Sequence, residues 1–367
     1  MTLFPDGRKF PNPMDDQKKD RTAANSLSER EIRVLDAVVR TYVASAEPAG
    51  SRTVAKRFEL GVSPATVRNT MSDLEEKGYL THPHTSAGRV PTDQAYRFFV
   101  DQLMRPQPLS RSDEAALARE LDGTSEVERL VRRTTRALSL LTRELGLALA
   151  PSFQDSILEK LEMVQVSADK VLMVATIGGG VVRTVYVDLP SAVPPDILVT
   201  LTVLLNERLA GRYLKELSET LPDRLRGAAG DDPSTQELLN IFMQAGAEIF
   251  EPSAIAGSEI HLGSASVLAA QPEFTSSQDL AQLLELLEHG EILAGAMHER
   301  DHAGGLQITI GGENVSEALS DFTLVTAEYH VGGLKGVIGV IGPTRMPYEK
   351  VIAIVDHTTS LINTLWR

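Results

Sequence analysis

Two stretches of this 367-residue chain hold residues whose types and spacing could do chemistry. The first is Val62 to Leu80, where Ala65, Thr66, Arg68, Asn69 and Ser72 share one side and Val67, Met71 and Leu74 the other. Apolar residues at i, i+4 and i+7 predict a helix with that face buried. The opposite face offers one cation beside small and hydrogen-bonding groups. Such a set suits base edges in a DNA major groove, where Arg pairs with guanine, Asn with adenine, and Thr or Ala meets a thymine methyl. Ser63 can cap this helix, Pro64 suits its first position because no N–H is needed there, and Gly78 can take the left-handed position that ends it. Glu75 and Glu76 lie at the far end, away from phosphates. An ordinary amphipathic surface helix carries the same pattern, so the neighbouring elements decide.

The second stretch is His298-Glu299-Arg300-Asp301-His302, a match to the H-E-x-x-H zinc site of metalloproteases. That chemistry needs both imidazoles one turn apart on a helix, a glutamate base and a third ligand downstream. Ala303-Gly304-Gly305 follows at once and puts the second histidine at a fraying end, so these residues read as a polar helix terminus. No metal site, cofactor site or catalytic residue is assigned. The chain also lacks a Walker loop, a dinucleotide fingerprint and a nucleophile elbow, and Gly178-Gly179-Gly180 has no following Lys-Ser/Thr, so it reads as a turn.

The elements around the first stretch form a pattern. Ser28 to Ala44 opens with a capping box, Ser28-x-x-Glu31, and continues with Ile32, Leu35, Val39 and Tyr42 on one face. Ser51 then caps a short helix through Leu60, with Val54 and Phe58 inward. Helix, short helix, turn and helix make a helix-turn-helix layout. Two short strands around Pro83 to Gly88 make a wing, and Thr92 caps a helix from Asp93 to Met104. Arg52, Lys56, Ser63, His84, Thr85 and Arg89 are the candidates for contact with the DNA backbone. A solvated hairpin charge describes Arg89 equally well.

Composition sets the frame. The chain exceeds what one core usually organises, and its 42% hydrophobic and 23% charged residues are ordinary globular values. It has no cysteine, which excludes disulfides and thiolate chemistry and fits a reducing cytoplasm. Net charge is −14, unevenly spread: residues 1–105 hold 16 Lys/Arg against 14 Asp/Glu, and the remainder is strongly acidic. An acidic body with a near-neutral head argues against indiscriminate nucleic-acid binding and leaves room for a few placed cations. Residues 1–25 read as a disordered extension, and no apolar run is long enough to span a membrane.

Beyond a Pro-rich boundary at Arg105 to Pro108, Ser112 to Ala148 reads as helix, followed by strands at Leu161–Val166, Lys170–Thr176 and Val181–Asp188. Helices follow at Ile197–Leu217, Gln236–Phe250 and Leu280–Met297, then strands at Leu306–Ile310, Phe322–Tyr329 and Lys335–Ile341, and a last helix from Tyr348. Strands, helices, then strands predict an α+β domain interrupted by a helical insertion. Leu201, Leu204, Leu205 and Leu209 suit either a dimer surface or a buried core.

The run His84-Thr85-Ser86-Ala87-Gly88-Arg89-Val90-Pro91-Thr92, with Tyr96-Arg97-Phe98, closely resembles the HrcA family of heat-inducible transcription repressors. Three further motifs match: Gln271-Pro272-Glu273-Phe274, Ile310-Gly311-Gly312-Glu313-Asn314, and Gly342-Pro343-Thr344-Arg345-Met346 before Tyr348 and Val351-Ile352. The resemblance runs from about Ser26 to the C-terminus, and the extension before it departs from the usual start. It implies an α+β multidomain chain: a winged helix-turn-helix at 26–105, a GAF-like domain at 106–195 and 276–367, and an inserted, mainly helical dimerisation domain at 196–275. It also implies a homodimer that binds a double-stranded inverted-repeat operator, CIRCE, represses chaperone operons and depends on the GroEL-type chaperonin. A small ligand held by the GAF-like domain is the alternative means of control.

Overall fold

A computed structural model gives the structure of the chain, describing residues 27–83, 88–105, 107–122, 127–151, 156–178, 181–189, 193–227, 233–250, 260–300, 305–331 and 334–365. The N-terminal extension and the wing tip, with His84 and Thr85, lie outside the described residues. The chain forms two compact units. One comprises residues up to Ala148 with His261–Glu328 and Val337–Leu361; the other comprises Leu149–Ile260 with Tyr329–Gly336 and the C-terminal residues from Ile362.

The first unit opens with α1 (Glu29–Ser45), α2 (Ser51–Arg57) and α3 (Pro64–Glu76), then the two-residue strands β1 (Leu80–Thr81) and β2 (Val90–Pro91). The capping box at α1 forms as expected: Ser28 accepts from the Glu31 N–H, and the Glu31 carboxylate accepts from the Ser28 N–H at 2.7 Å. Gly50, rather than Ser51, is the cap residue of α2, and no side chain bonds there. Val34, Leu35, Val38, Val54, Val67, Met71 and Leu74 are buried, so the three helices share an apolar centre. β1 and β2 pair antiparallel, Leu80 against Pro91 and Thr81 against Val90, and make the wing. Thr92 caps α4 (Asp93–Phe98), which runs into a π-helical turn at Phe99–Leu103.

The same unit continues with α5 (Arg111–Leu121), α6 (Val127–Thr142) and β3 (Leu145–Leu149). The single helix expected over Ser112 to Ala148 is therefore two helices and a strand. Arg143 takes a left-handed backbone conformation (φ 64°) that ends the helical run, and every residue of Leu145–Leu149 is buried. A short, wholly apolar run cannot be assigned to strand or helix by periodicity. β3 belongs to a five-stranded sheet with β7 (Ile260–Leu262), β8 (Leu306–Ile310), β9 (Phe322–Val331) and β10 (Leu334–Pro343), in the order β7-β3-β10-β9-β8. Around it lie α10 (Ala265–Ala269), α11 (Ser277–Glu288), α12 (Gly290–His298) and α13 (Tyr348–Leu365). The helix expected over Leu280 to Met297 breaks at His289 into α11 and α12.

In the second unit, β4 (Leu158–Ser167), β5 (Lys170–Ile177) and β6 (Val181–Asp188) form an antiparallel sheet, accompanied by α7 (Pro195–Leu209), α8 (Leu214–Leu225) and α9 (Pro233–Phe250). β5 alternates fully buried and half-buried residues, the pattern of a sheet covered on one face. Val171, Met173, Ala175 and Ile177 form a core with Leu198, Leu201, Leu205, Leu209, Leu214, Leu217 and Leu239. The sheet thus shares its core with the helices. The unit as a whole spans Leu149–Ile260 with the short segments named above and combines the three-stranded sheet with its helices. Leu201, Leu205 and Leu209 are 0%, 3% and 1% exposed and Leu204 is half-buried, so within the single chain these leucines serve the core, the second of the two roles their spacing allows. Val199 and Val203 form the exposed apolar side of α7.

Candidate nucleic-acid interface

The α3 helix is built as its sequence requires. Ser63 Oγ accepts the Thr66 N–H at 3.1 Å and lies 2.9 Å from Thr66 Oγ1, Pro64 opens the helix, and Gly78 follows it with φ of 81°. Val67, Thr70, Met71 and Leu74 are buried, with the Thr70 hydroxyl turned back onto the Thr66 carbonyl at 3.1 Å. Ala65, Arg68, Asn69 and Ser72 are exposed and Thr66 is half-buried, so the five candidate base-reading residues share the outer side of the first turns. Among the described residues no carboxylate pairs with Arg68, which leaves its guanidinium able to make a bidentate contact. Arg52 and Lys56 on α2 are exposed as well. Ser63 is engaged in capping. Arg89 is engaged too: its Nη2 lies 2.7 Å from Glu75 Oε2 on α3.

The zinc-like stretch is positioned for packing. His298 is the last residue of α12, and Arg300 turns inward, donating to the hydroxyls of Thr326 at 3.1 Å and of Thr309. Burial lowers the Arg300 pKa to about 10. His302 lies outside the described residues, and among those described no cluster of His, Asp and Glu could hold a metal ion.

Sequence reasoning did not anticipate how the winged head is fastened to the α+β part of its own unit. Arg40 on α1 donates to both carboxylate oxygens of Glu349 on α13, at 2.9 and 3.2 Å. Arg97 on α4 makes the same two-pronged contact with Glu313, at 2.8 and 2.6 Å, and donates to the Ile308 carbonyl at 2.7 Å. Asp93 accepts from the Gly312 N–H at 3.0 Å. Arg345 grips Glu273 with Nε and Nη2 and reaches the Val43 carbonyl of α1 with Nη1 at 2.8 Å. The fork of a guanidinium matches a carboxylate in two places, which fixes orientation as well as distance. Hydrogen bonding to these carboxylates holds the Arg40 and Arg345 pKa values above normal.

Tyr96 of the head and Tyr348 of α13 complete this seam with ring centroids 5.7 Å apart, both buried. Behind Arg345, Glu144 is buried and accepts from Gln271 at 2.7 Å; burial pushes its carboxyl up to about 8, against the pull of Gln271 and Arg345. The motifs at Tyr96-Arg97-Phe98, Gln271 to Phe274, Ile310 to Asn314 and Gly342 to Met346 are far apart in sequence and meet here. The signal for the pairing was their charge: each holds an Arg or a Glu.

A family model, the HrcA protein C-terminal domain, matches residues 128–352. A heat-inducible transcription repressor HrcA of Pelotomaculum thermopropionicum is 35% identical over 337 residues, covering 91% of this chain and 95% of that protein. The chain belongs to the HrcA family. HrcA repressors of Halalkalibacterium halodurans and Chlorobium phaeovibrioides are 35% and 32% identical, covering 92% and 93% of this chain and 97% and 98% of theirs. A solved structure titled only as a hypothetical protein matches 93% of this chain at 21% identity with a TM-score of 0.65, a likeness of fold. Among the described residues no helix is long and apolar enough to cross a membrane.

Proposed function

We propose that this HrcA-family chain is a cytoplasmic, sequence-specific repressor and not an enzyme, binding an inverted-repeat operator of the CIRCE type as a homodimer upstream of chaperone operons. The observation that carries this reading is the outer side of α3, where Ala65, Arg68, Asn69 and Ser72 are exposed and Thr66 is half-buried. Arg68 and Asn69 read base edges, and Arg52 and Lys56 on α2 hold phosphates and set register. Two-fold symmetry brings two such helices to successive major grooves on one side of the duplex. Repression is then steric exclusion of polymerase. No bond is made or broken in the switch; the GroEL-type chaperonin raises the population of the competent dimer, and stress that occupies the chaperonin lowers it.

The test is a salt titration of binding to the inverted repeat and to a scrambled duplex of equal length, with and without chaperonin. Tight binding to the repeat alone with a modest salt slope supports the reading. Equal, weak binding to both under both conditions refutes it. Arg68→Ala is expected to cost about 1–3 kcal/mol at the base it reads and to relax preference there; unchanged affinity and preference would remove Arg68 from the role.

A cavity of about 590 Å³ keeps ligand control in view as a second reading; Arg40, Phe58, Phe99, Tyr348 and Lys350 line it between the head and α13. A rise in melting temperature with a metabolite, accompanied by altered operator affinity, would favour it.

A further inference from the structure

We propose that Glu75 is a positioning residue that locks the wing to the recognition helix, and that Arg89 is its strut rather than a contact to DNA. This rests on the DNA-binding reading above and assigns the inner machinery of that same site.

The geometry comes from both ends of the wing. Glu75 lies near the C-terminal end of α3, and its two carboxylate oxygens go to different strands. Oε1 meets Nδ1 of His82, which directly follows β1, and Oε2 lies 2.7 Å from Nη2 of Arg89, which directly precedes β2. One carboxylate therefore ties both strands to the helix that carries Arg68 and Asn69. Arg89 is held from behind as well: its N–H donates to the Ala49 carbonyl at 3.0 Å and its carbonyl accepts from the Ala49 N–H at 2.8 Å. Gly88 keeps this approach close, since a Cβ there would stand 2.6 Å from the backbone of Pro48 and Ala49. The Arg89 side chain is only 23% exposed, and its Nε is buried with no hydrogen-bond partner among the described residues. A guanidinium placed to take a phosphate would present its N–H groups to solvent; this one is turned onto Glu75.

A wing fixed in this way meets the duplex as one body with α3, and little flexibility is lost on binding. The two roles for Arg89 predict opposite signs. If Glu75 only competes with phosphate for Arg89, removing Glu75 frees a cation and binding tightens. If Glu75 is the lock, removing it loosens the wing and binding weakens.

The experiment uses the full chain, the inverted repeat and the scrambled duplex, several salt concentrations, and hydroxyl-radical footprints at saturating protein. Glu75→Ala and Arg89→Ala are each expected to weaken binding to the repeat about tenfold, with the slope of log affinity against log salt unchanged. Their footprints should lose protection outside the α3 contacts and keep it within them, which a simple loss of folded protein would not produce. The double variant Glu75→Arg with Arg89→Glu rebuilds the Arg89 half of the lock with reversed charge and loses the His82 half, so it is expected to bind more tightly than the weaker single variant and less tightly than the parent. Glu75→Gln, which keeps the shape and removes the charge, serves if Glu75→Ala fails to fold and is expected to weaken binding in the same direction. Glu75→Ala or Glu75→Gln binding as tightly as the parent or tighter overturns the proposal. So does a slope lower by about 0.9 per protomer for Arg89→Ala, the mark of a lost phosphate contact. A parent chain that treats both duplexes alike instead refutes the DNA-binding reading itself.

Discussion

The centre of the second unit and the seam between the winged head and the GAF-like sheet are joined by opposite means. In the second unit, leucines of α7, α8 and α9 close over one face of a three-stranded sheet. At the seam, Arg40, Arg97 and Arg345 reach carboxylates and carbonyls across elements, with side chains between 13% and 33% exposed. Apolar burial is strong and non-directional, about 25 cal/mol per Å², and tolerates small shifts. Ion pairs that keep contact with solvent contribute about 0–1 kcal/mol each, yet their forked geometry selects one orientation. The leucine core therefore supplies stability, while the seam supplies alignment at a small net free energy. A head held this way sits in a defined pose set by forked ion pairs and by the packing of Tyr96 on Tyr348.

The contrast can be broken most forcefully at Leu205. Leu205→Ala is expected to destabilise the second unit by about 2–5 kcal/mol in a urea melt, because the cavity has little room to collapse. A loss below about 1 kcal/mol would show that this core is loosely packed.

Glu144 marks where the seam turns from paired charge to burial, and its pH response sharpens the comparison. Its folded-state pKa is raised to about 8 from an ordinary 4.5, so its stabilising contribution is complete below pH 4.5 and is lost as pH rises toward 8. Glu144→Gln keeps the shape and removes the titration. The variant should gain a few kcal/mol at most over the parent at pH 8.5 and nothing at pH 4. Parallel stability curves across that range would contradict the assignment.

The smallest effect is expected at the seam itself. A double-mutant cycle on Arg97 and Glu313 should give a coupling of about 1 kcal/mol or less in low salt, shrinking in 1 M salt. Hydrogen exchange in α4 should rise in the single variants while the leucine core stays protected. A coupling above about 3 kcal/mol would place this pair with buried networks and make the seam a source of stability after all.

Local signals read correctly where they were complete within a few residues. Ser28 with Glu31, Ser63 with Pro64, and Thr92 fixed the starts of α1, α3 and α4 because a cap is a contact between near neighbours. Reading failed where the deciding contact was remote. Ser112 to Ala148 reads as one helix until Arg143 turns left-handed and Leu145–Leu149 joins a sheet. Ile197 to Leu217 reads likewise until the chain becomes extended at Ala210 and Tyr213 starts α8. The leucines of α7 carried no mark of whether a partner or their own sheet would cover them.

The amino-acid sequence by itself determined the outward chemistry of α3, the helix-turn-helix and wing order, and the four motifs that point to the family. Side-chain type and short-range spacing are enough for these, because helix faces and caps are decided within a turn or two. The tertiary structure alone decided that Arg89 faces Glu75, that Glu313 meets Arg97 across some two hundred residues of chain, and that Glu144 is buried. A charge in sequence has no partner until the fold brings one near, and whether it reaches DNA, pairs or is buried depends on that neighbour.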